Sequence, residues 1–218
     1  TGHTAGVQAS FSKNPIYPLK TYESFIHDPL NAILSSFSKV NRDGEGAAIQ
    51  LIWSPVGEKY VKRYKGALDK ILKGTPLKEA IDIPDSVGGE ILHTFKDVFG
   101  SSKKKDEKGE EKKPEPIDQG AVEEIKRKIS APIVLCNLRL LASSTTKEES
   151  EEILNSLKSS FNQFDNTLGN SLKWDKKEKG DLRNLVKNFS FRIFDNDNAL
   201  PMNLREVTSF IHFQTKAV

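Results

Sequence analysis

The 218-residue chain is long enough to bury a core of its own. It has 33 Lys and Arg against 30 Asp and Glu, and this near balance argues against a protein that binds nucleic acid over its whole surface. Its single cysteine, Cys136, excludes internal disulfides and fits a reducing compartment. No apolar run approaches the roughly 18–20 residues that span a bilayer. We therefore expect a soluble, intracellular domain. The chain begins at Thr1 without methionine and ends at Val218 directly after a predicted apolar helix, so we also expect it to be part of a longer protein.

Residues 1–100 are predicted to form a first α+β half. Extended backbone is expected over Ile16–Phe25, and Asp28-Pro29 opens a helix because aspartate caps it and proline suits its first turn. A strand is predicted over Ala47–Trp53, where apolar residues on both faces favour a central position in a sheet. The residues of 58–72 have the spacing of a second helix.

A charged segment separates this half from the next. A short helix is predicted within 89–98, and 101–118 is predicted to be a mobile loop. Residues 101–116 contain no apolar side chain, so burial cannot offset the entropy cost of ordering them. Because the opposite charges nearly cancel, this segment is a poor candidate for a DNA-binding tail.

Residues 119–218 repeat the outline of the first half. Thr146-x-x-Glu149 and Asn203-x-x-Glu206 are predicted capping boxes, each of which opens a helix. Further helices and strands follow from apolar spacing: helices over 121–129 and 181–187, and strands over 133–142, 172–174 and 189–194. Asn137 and Arg139 are the two polar exceptions in the first of these strands. The pattern predicts an α+β fold with a mixed or antiparallel sheet, either one ferredoxin-like sheet or two ferredoxin-like halves that share a sheet.

The motifs of the common nucleotide and metal sites are missing from the sequence. It has no Walker A or dinucleotide-binding glycine pattern, so we expect no ATPase site, no catalytic residues and no cofactor within these residues. His27 and the other histidines lack metal-ligand spacing, and Cys136 lies in an apolar strand, where a thiol is usually inert. Asp195, Asp197 and Glu206 have EF-hand spacing, but Leu200 replaces the required glycine, so we interpret 195–198 as a polar turn.

One alternative function depends on a basic helix face. The second predicted helix carries cationic side chains opposite its apolar stripe, and these are candidates for contact with a phosphate backbone: Lys59, Lys62, Arg63 and Lys65. An exposed Tyr60 or Trp53 would then stack on bases. A lysine-rich face that is merely solvated explains the same pattern.

Several short motifs together resemble one family of proteins. The end of the last predicted strand, Phe191-Arg192-Ile193-Phe194, is followed by Leu200-Pro201-Met202-Asn203-Leu204-Arg205-Glu206-Val207 and then by Phe210-Ile211-His212-Phe213. This order is similar to the junction that precedes the motor domain in HerA-like and conjugative coupling-protein-like ATPases of bacterial type IV secretion or DNA-transfer systems. The segments Asp28-Pro29-Leu30, Ala48–Pro55 and Phe161-Asn162-Gln163-Phe164 resemble other stretches of that family, whereas Gln214 stands where the family commonly has proline.

The resemblance implies a non-catalytic domain between a membrane anchor and a hexameric, DNA-pumping ATPase. Such a domain would assemble or orient the motor at the cytoplasmic face of the membrane, and its partners would be the adjacent ATPase domain and membrane segments. A homo-oligomer and a direct contact with DNA are further expectations. The resemblance implies that Asn203 and Glu206 cap the junction helix and that Phe210, Ile211 and Phe213 pack it. His212 is the one candidate for a polar role there, and a core histidine with satisfied hydrogen bonds is the alternative.

Overall fold

The structure, a computed structural model, describes residues 2–26, 28–81 and 117–211. Within these it has five β-strands: β1 (His3–Phe11), β2 (Gly46–Pro55), β3 (Ile133–Ser144), β4 (Leu172–Lys177) and β5 (Leu200–Asn203). The α-helices in the same residues are α1 (Pro29–Ser36), α2 (Lys59–Leu72), α3 (Leu77–Ile81), α4 (Gln119–Lys128), α5 (Lys147–Ser160), α6 (Lys179–Ser190) and α7 (Leu204–Phe210). Single 3-10 turns occur at Tyr22–Ser24, Phe37–Lys39 and Asn162–Phe164.

The five strands form one antiparallel sheet. Its order is β2-β3-β1-β4, and β5 pairs with the start of β3. Strand–helix–strand units, β1-α1-β2 and β3-α5-β4, supply the four strands of the main path. The α+β prediction with an antiparallel sheet is therefore confirmed, and the ferredoxin-like order occurs once, with strands drawn from both parts of the sequence.

Local caps fix where three of the helices begin. The Asp28 carboxylate accepts a hydrogen bond from the Leu30 backbone at 2.9 Å, and Thr146 accepts one from Glu149 at 3.2 Å. Asn203 opens α7 with a complete capping box. These starts were predicted from the sequence because each cap uses only neighbouring residues.

The strand predicted at 189–194 was wrong, the extended segment predicted over Ile16–Phe25 forms no strand, and β1 was not predicted. Residues 16–25 contain turns and a 3-10 helix, while residues 189–190 end α6 and 191–192 form a turn. The alternation of apolar residues over 189–194 resembled a strand, but Arg192 has a φ of +52°. β1 contains small residues because its neighbours lie close: a Cβ added to Gly6 would come within 2.7 Å of the side chains of Leu141 and Leu185.

The predicted central position of β2 was also wrong, since β2 lies at one edge of the sheet. The strand is apolar on both sides because both of its faces are half-buried. Burial of the two faces does not require a paired strand on each edge.

Two apolar clusters hold the helices. One face of the sheet packs against α1, α5 and α7, and its fully buried residues include Leu140, Leu157 and Phe164. A second cluster joins α2, α3 and α4 to Ile16, Tyr17 and Ile133.

The helix predicted within 89–98 and the charged residues 101–116 lie outside the described residues, as does His27. No helix in the described part of the chain is both long enough and apolar enough to cross a bilayer.

Candidate functional site

The helix start predicted at Asn203 and Glu206 is built as expected. The Asn203 Oδ1 atom accepts a hydrogen bond from the Glu206 backbone at 2.9 Å, and Glu206 Oε2 accepts one from the Asn203 backbone at 2.8 Å. Both side chains are buried, with 1% exposure each. This capping box therefore lies inside the protein, whereas most helix starts are solvated.

A buried lysine completes the arrangement. The Lys128 ammonium, at the end of α4, lies 2.8 Å from Glu206 Oε2 and 3.1 Å from Oε1, and neither side chain is exposed. The Leu19 backbone donates to Glu206 Oε1 at 2.8 Å. Burial lowers the pKa of Lys128, and the charge of Glu206 opposes that shift. We call Lys128, Asn203 and Glu206 the junction anchor.

The junction anchor joins three separate parts of the chain. The Asn203 amide also donates to the carbonyls of Arg127 (3.1 Å) and Lys128 (3.2 Å), so one side chain caps the end of α4 and the start of α7. Through Glu206 the same cluster holds the backbone at Leu19. The orientation of α7 relative to the sheet is therefore fixed by charge-assisted hydrogen bonds as well as by packing.

The role of Lys128 was missed by the sequence analysis. The signal was its position three residues after Ile125, on the apolar face of α4, where a lysine is unexpected. Its partner Glu206 lies 78 residues away and could not be identified from local spacing.

A groove of about 570 Å³ lies beside the junction anchor. Its walls carry charges of both signs, among them the ion pairs Glu23–Arg205 at 2.9 Å and Glu124–Arg127 at 3.1 Å. Burial raises the pKa of the Asp165 carboxyl in the same groove, and the Leu172 backbone opposes the shift through a hydrogen bond. The six charged residues that line the groove are three acids and three bases, so the groove has no single strong electrostatic preference.

The predicted packing residues of the last helix have mixed positions. Phe210 is buried, and its ring centroid lies 4.6 Å from that of Phe164 and 5.7 Å from that of Phe161. Ile211 is 47% exposed, so its predicted packing role was wrong. His212 and Phe213 lie outside the described residues.

The structure brings the predicted basic residues together on α2 but does not leave all of them open. Lys59, Lys62 and Lys65 are exposed, and Arg63 is half-buried. Lys62 pairs with Glu58 at 3.0 Å. The prediction of an exposed Tyr60 was wrong, because that ring is 7% exposed; Trp53 is 54% exposed.

A second polar cluster, also missed, lies under the opposite face of the sheet. Arg139 is buried, and its guanidinium donates to Gln50 Oε1 (3.0 Å) and to the carbonyls of Asn188 (3.2 Å) and Ile193 (2.8 Å). It also donates to Asn137 Oδ1 at 3.1 Å. The signal was two polar residues in an otherwise apolar strand. Its hydrogen bonds to the carbonyls of Asn188 and Ile193 hold the end of α6 and the turn after it, where a strand had been predicted at 189–194.

Asn137 fixes the polar turn that follows. Its amide exchanges hydrogen bonds with the Asp195 backbone at 2.9 and 2.7 Å. Asp195 in turn accepts from the backbones of Asp197 and Asn198, which is the geometry of a polar turn, as predicted for 195–198. In the part of the chain that the structure describes, no group of three His, Cys, Asp or Glu residues could hold a metal ion.

The comparisons with known proteins identify the family of the chain. The model of the family described as "Domain of unknown function (DUF8128)" matches residues 2–217, so the chain belongs to that family. No curated protein and no solved structure matches it.

Proposed function

We propose that this chain is a non-catalytic assembly domain of a membrane-associated type IV secretion or DNA-translocating ATPase. In this proposal the parent protein is the ATPase, and this domain orients or assembles the motor at the cytoplasmic face of the membrane. Its partners are the adjacent ATPase domain, the membrane segments of the parent protein and other copies of itself.

The junction anchor is the observation that carries the proposal. The segment in which the sequence resembles the coupling-protein ATPases folds as a short strand, β5, followed directly by the capped helix α7. Glu206 and Lys128 tie that helix to α4 without exposure to solvent. A helix held in this way transmits orientation between the sheet and whatever follows α7, as an assembly domain requires.

The energy of the junction anchor supports a mechanical role. Removing one member of a buried ion pair typically costs about 3–5 kcal/mol, because the other charge is left without a partner. We therefore expect the position of α7 to depend on both members of the pair.

A second candidate, a nucleic-acid-binding module, depends on a different surface. Three exposed lysines of α2 follow the exposed Trp53 in the chain, and this combination suits a phosphate backbone with a stacked base. If three phosphates are contacted, the logarithm of affinity should fall with the logarithm of salt concentration with a slope of about −2 for single-stranded DNA.

Two experiments test these proposals. The first is to sequence the gene beyond the codon for Val218: a Walker A motif a short distance downstream supports the assembly proposal, and its absence contradicts it. The second is to measure binding of single-stranded DNA by fluorescence anisotropy at low salt. Binding that is lost when Lys59, Lys62 and Lys65 are changed to Gln supports the second candidate, and no detectable binding excludes it.

A further inference from the structure

The sheet has one long edge without a paired strand on its outer side. β2 pairs with β3 over ten residues, Gly46–Pro55, and among the described residues no strand pairs with its other edge. An edge strand presents a row of backbone N–H and C=O groups that can accept another strand. Short, bulged or charged edge strands discourage such pairing, and β2 is ten residues long.

The composition of β2 gives it little protection, since its one proline, Pro55, is its last residue. None of its residues is charged, and seven successive residues from Gly46 to Ile52 are half-buried. Ala47, Ile49 and Leu51 extend the main core to the edge of the sheet, where it is left partly open. Trp53, on the same face, is 54% exposed.

The opposite edge of the sheet has the usual protection. β4 carries Lys173, Asp175, Lys176 and Lys177 within six residues. Lys176 is already paired with Glu151 at 2.9 Å. Charged side chains, lysines above all, are the common means of preventing edge pairing. The β4 edge therefore carries the charged side chains that discourage strand pairing, and the β2 edge carries none.

The β2 edge is also held in place before any partner binds. The Gln50 side chain accepts a hydrogen bond from Arg139 at 3.0 Å and donates one to the Phe189 carbonyl at 2.8 Å. These bonds hold one face of the strand in place, and they use none of the backbone groups on its outer edge. A strand that is already ordered loses less conformational entropy when it pairs with a partner.

We propose that β2 pairs antiparallel with β2 of a second copy of this chain, about a two-fold axis close to Leu51. This register places Trp53 of one copy opposite Ile49 of the other, which covers the exposed ring with an aromatic–β-branched pair. The second copy is the partner that β2 fits best. It brings an uncharged strand of the same length, so no charge is buried without a partner and the contact is self-complementary.

This pairing is independent of the proposed function. A two-fold contact joins copies in pairs, whereas the ring contacts of a motor are head-to-tail. A monomeric chain would overturn the β2 contact and leave the assembly proposal to its own test.

Sedimentation of the chain over a wide range of concentration tests the proposal. We expect a monomer–dimer equilibrium for the wild type, and a monomer for Trp53→Lys because the charge lies at the contact. Leu168→Lys is the control, since Leu168 is 64% exposed and lies in the groove beside the junction anchor. It should dimerise like the wild type, and circular dichroism should show both variants folded. A wild type that is monomeric throughout, or a Trp53→Lys variant that dimerises normally, overturns the proposal.

A cysteine at the two-fold axis gives a second readout. Directly opposite residues in antiparallel strands have Cα atoms about 4.5–5.5 Å apart, which suits a disulfide. Mild oxidation of Leu51→Cys should therefore give a covalent dimer, and Leu72→Cys, on the half-exposed end of α2, should not. Equal cross-linking of the two variants would contradict the register.

Discussion

The ammonium group of Lys128 lies 2.8 Å from the carboxylate of Glu206, and solvent reaches neither side chain. The Glu206 carboxylate also accepts hydrogen bonds from the Leu19 and Asn203 backbones. The ion pair is thus the centre of the contact between α4, α7 and the segment after β1.

Removing the negative charge of this pair should strongly destabilise the fold. We expect Glu206→Gln to lower the free energy of unfolding by about 3–5 kcal/mol, because Lys128 is left buried without a counter-charge. Urea unfolding followed by circular dichroism measures the effect. The control is Glu152→Gln, which breaks an exposed pair with Lys39 and should cost less than about 1 kcal/mol. Equal effects of the two changes would mean that the buried pair contributes no more than a surface pair.

The Arg139 cluster should depend on the shape of the guanidinium as well as on its charge. Lysine cannot reach the four acceptors that Arg139 contacts, so Arg139→Lys should destabilise the chain by roughly 1–3 kcal/mol. Amide hydrogen exchange should accelerate at 191–198, which the cluster holds. Arg205→Lys, at the exposed pair with Glu23, is the matched control, and exchange at 191–198 should be unchanged in that variant.

Two glycines should respond to the same substitution in opposite directions. Gly6→Ala puts a Cβ 2.7 Å from the terminal methyl groups of Leu141 and Leu185. Because these methyl groups can partly move aside, the overpacking should cost about 1 kcal/mol, at the lower end of its usual range. Gly66→Ala lies in α2 with open space around the new Cβ, and it should stabilise the chain by about 0.5–1 kcal/mol. The two unfolding curves should move to opposite sides of the wild type, and a shift in the same direction would contradict the packing of α6 on β1.

The thiol of Cys136 should be inert in the folded chain. Burial, assisted by the charge of Glu206 and opposed by Lys128, raises its pKa to about 12. Since the thiolate is the reactive form, a thiol reagent at pH 8 should react with Cys136 only after unfolding. Rapid reaction without denaturant would contradict the burial of Cys136 in β3.

Local signals in the sequence predicted local structure well. Asp28 and Asn203 were recognised as caps because capping depends on residues two or three positions away. β1 was missed because the reason for its small residues, the approach of α6 to Gly6, is a contact between distant parts of the chain. Residues 189–194 were assigned to a strand because their alternation was visible and the hydrogen bonds from Arg139 were not.

The same distinction applies to the candidate site. Asn203 and Glu206 were identified as the capping pair, whereas Lys128 was not, because the pattern of α4 shows a misplaced lysine but not its partner. The edge position of β2 was also inaccessible to the sequence, since strand order depends on which strands meet across the fold.

The particle mass of the parent protein in the presence of ATP and Mg²⁺ tests the proposed role most directly. It should be measured for the full-length protein and for a form that lacks this domain. If the domain assembles the motor, the full-length protein forms a ring-sized particle and the shortened form dissociates, although each motor still binds ATP. Identical particle masses for the two forms would contradict an assembly role.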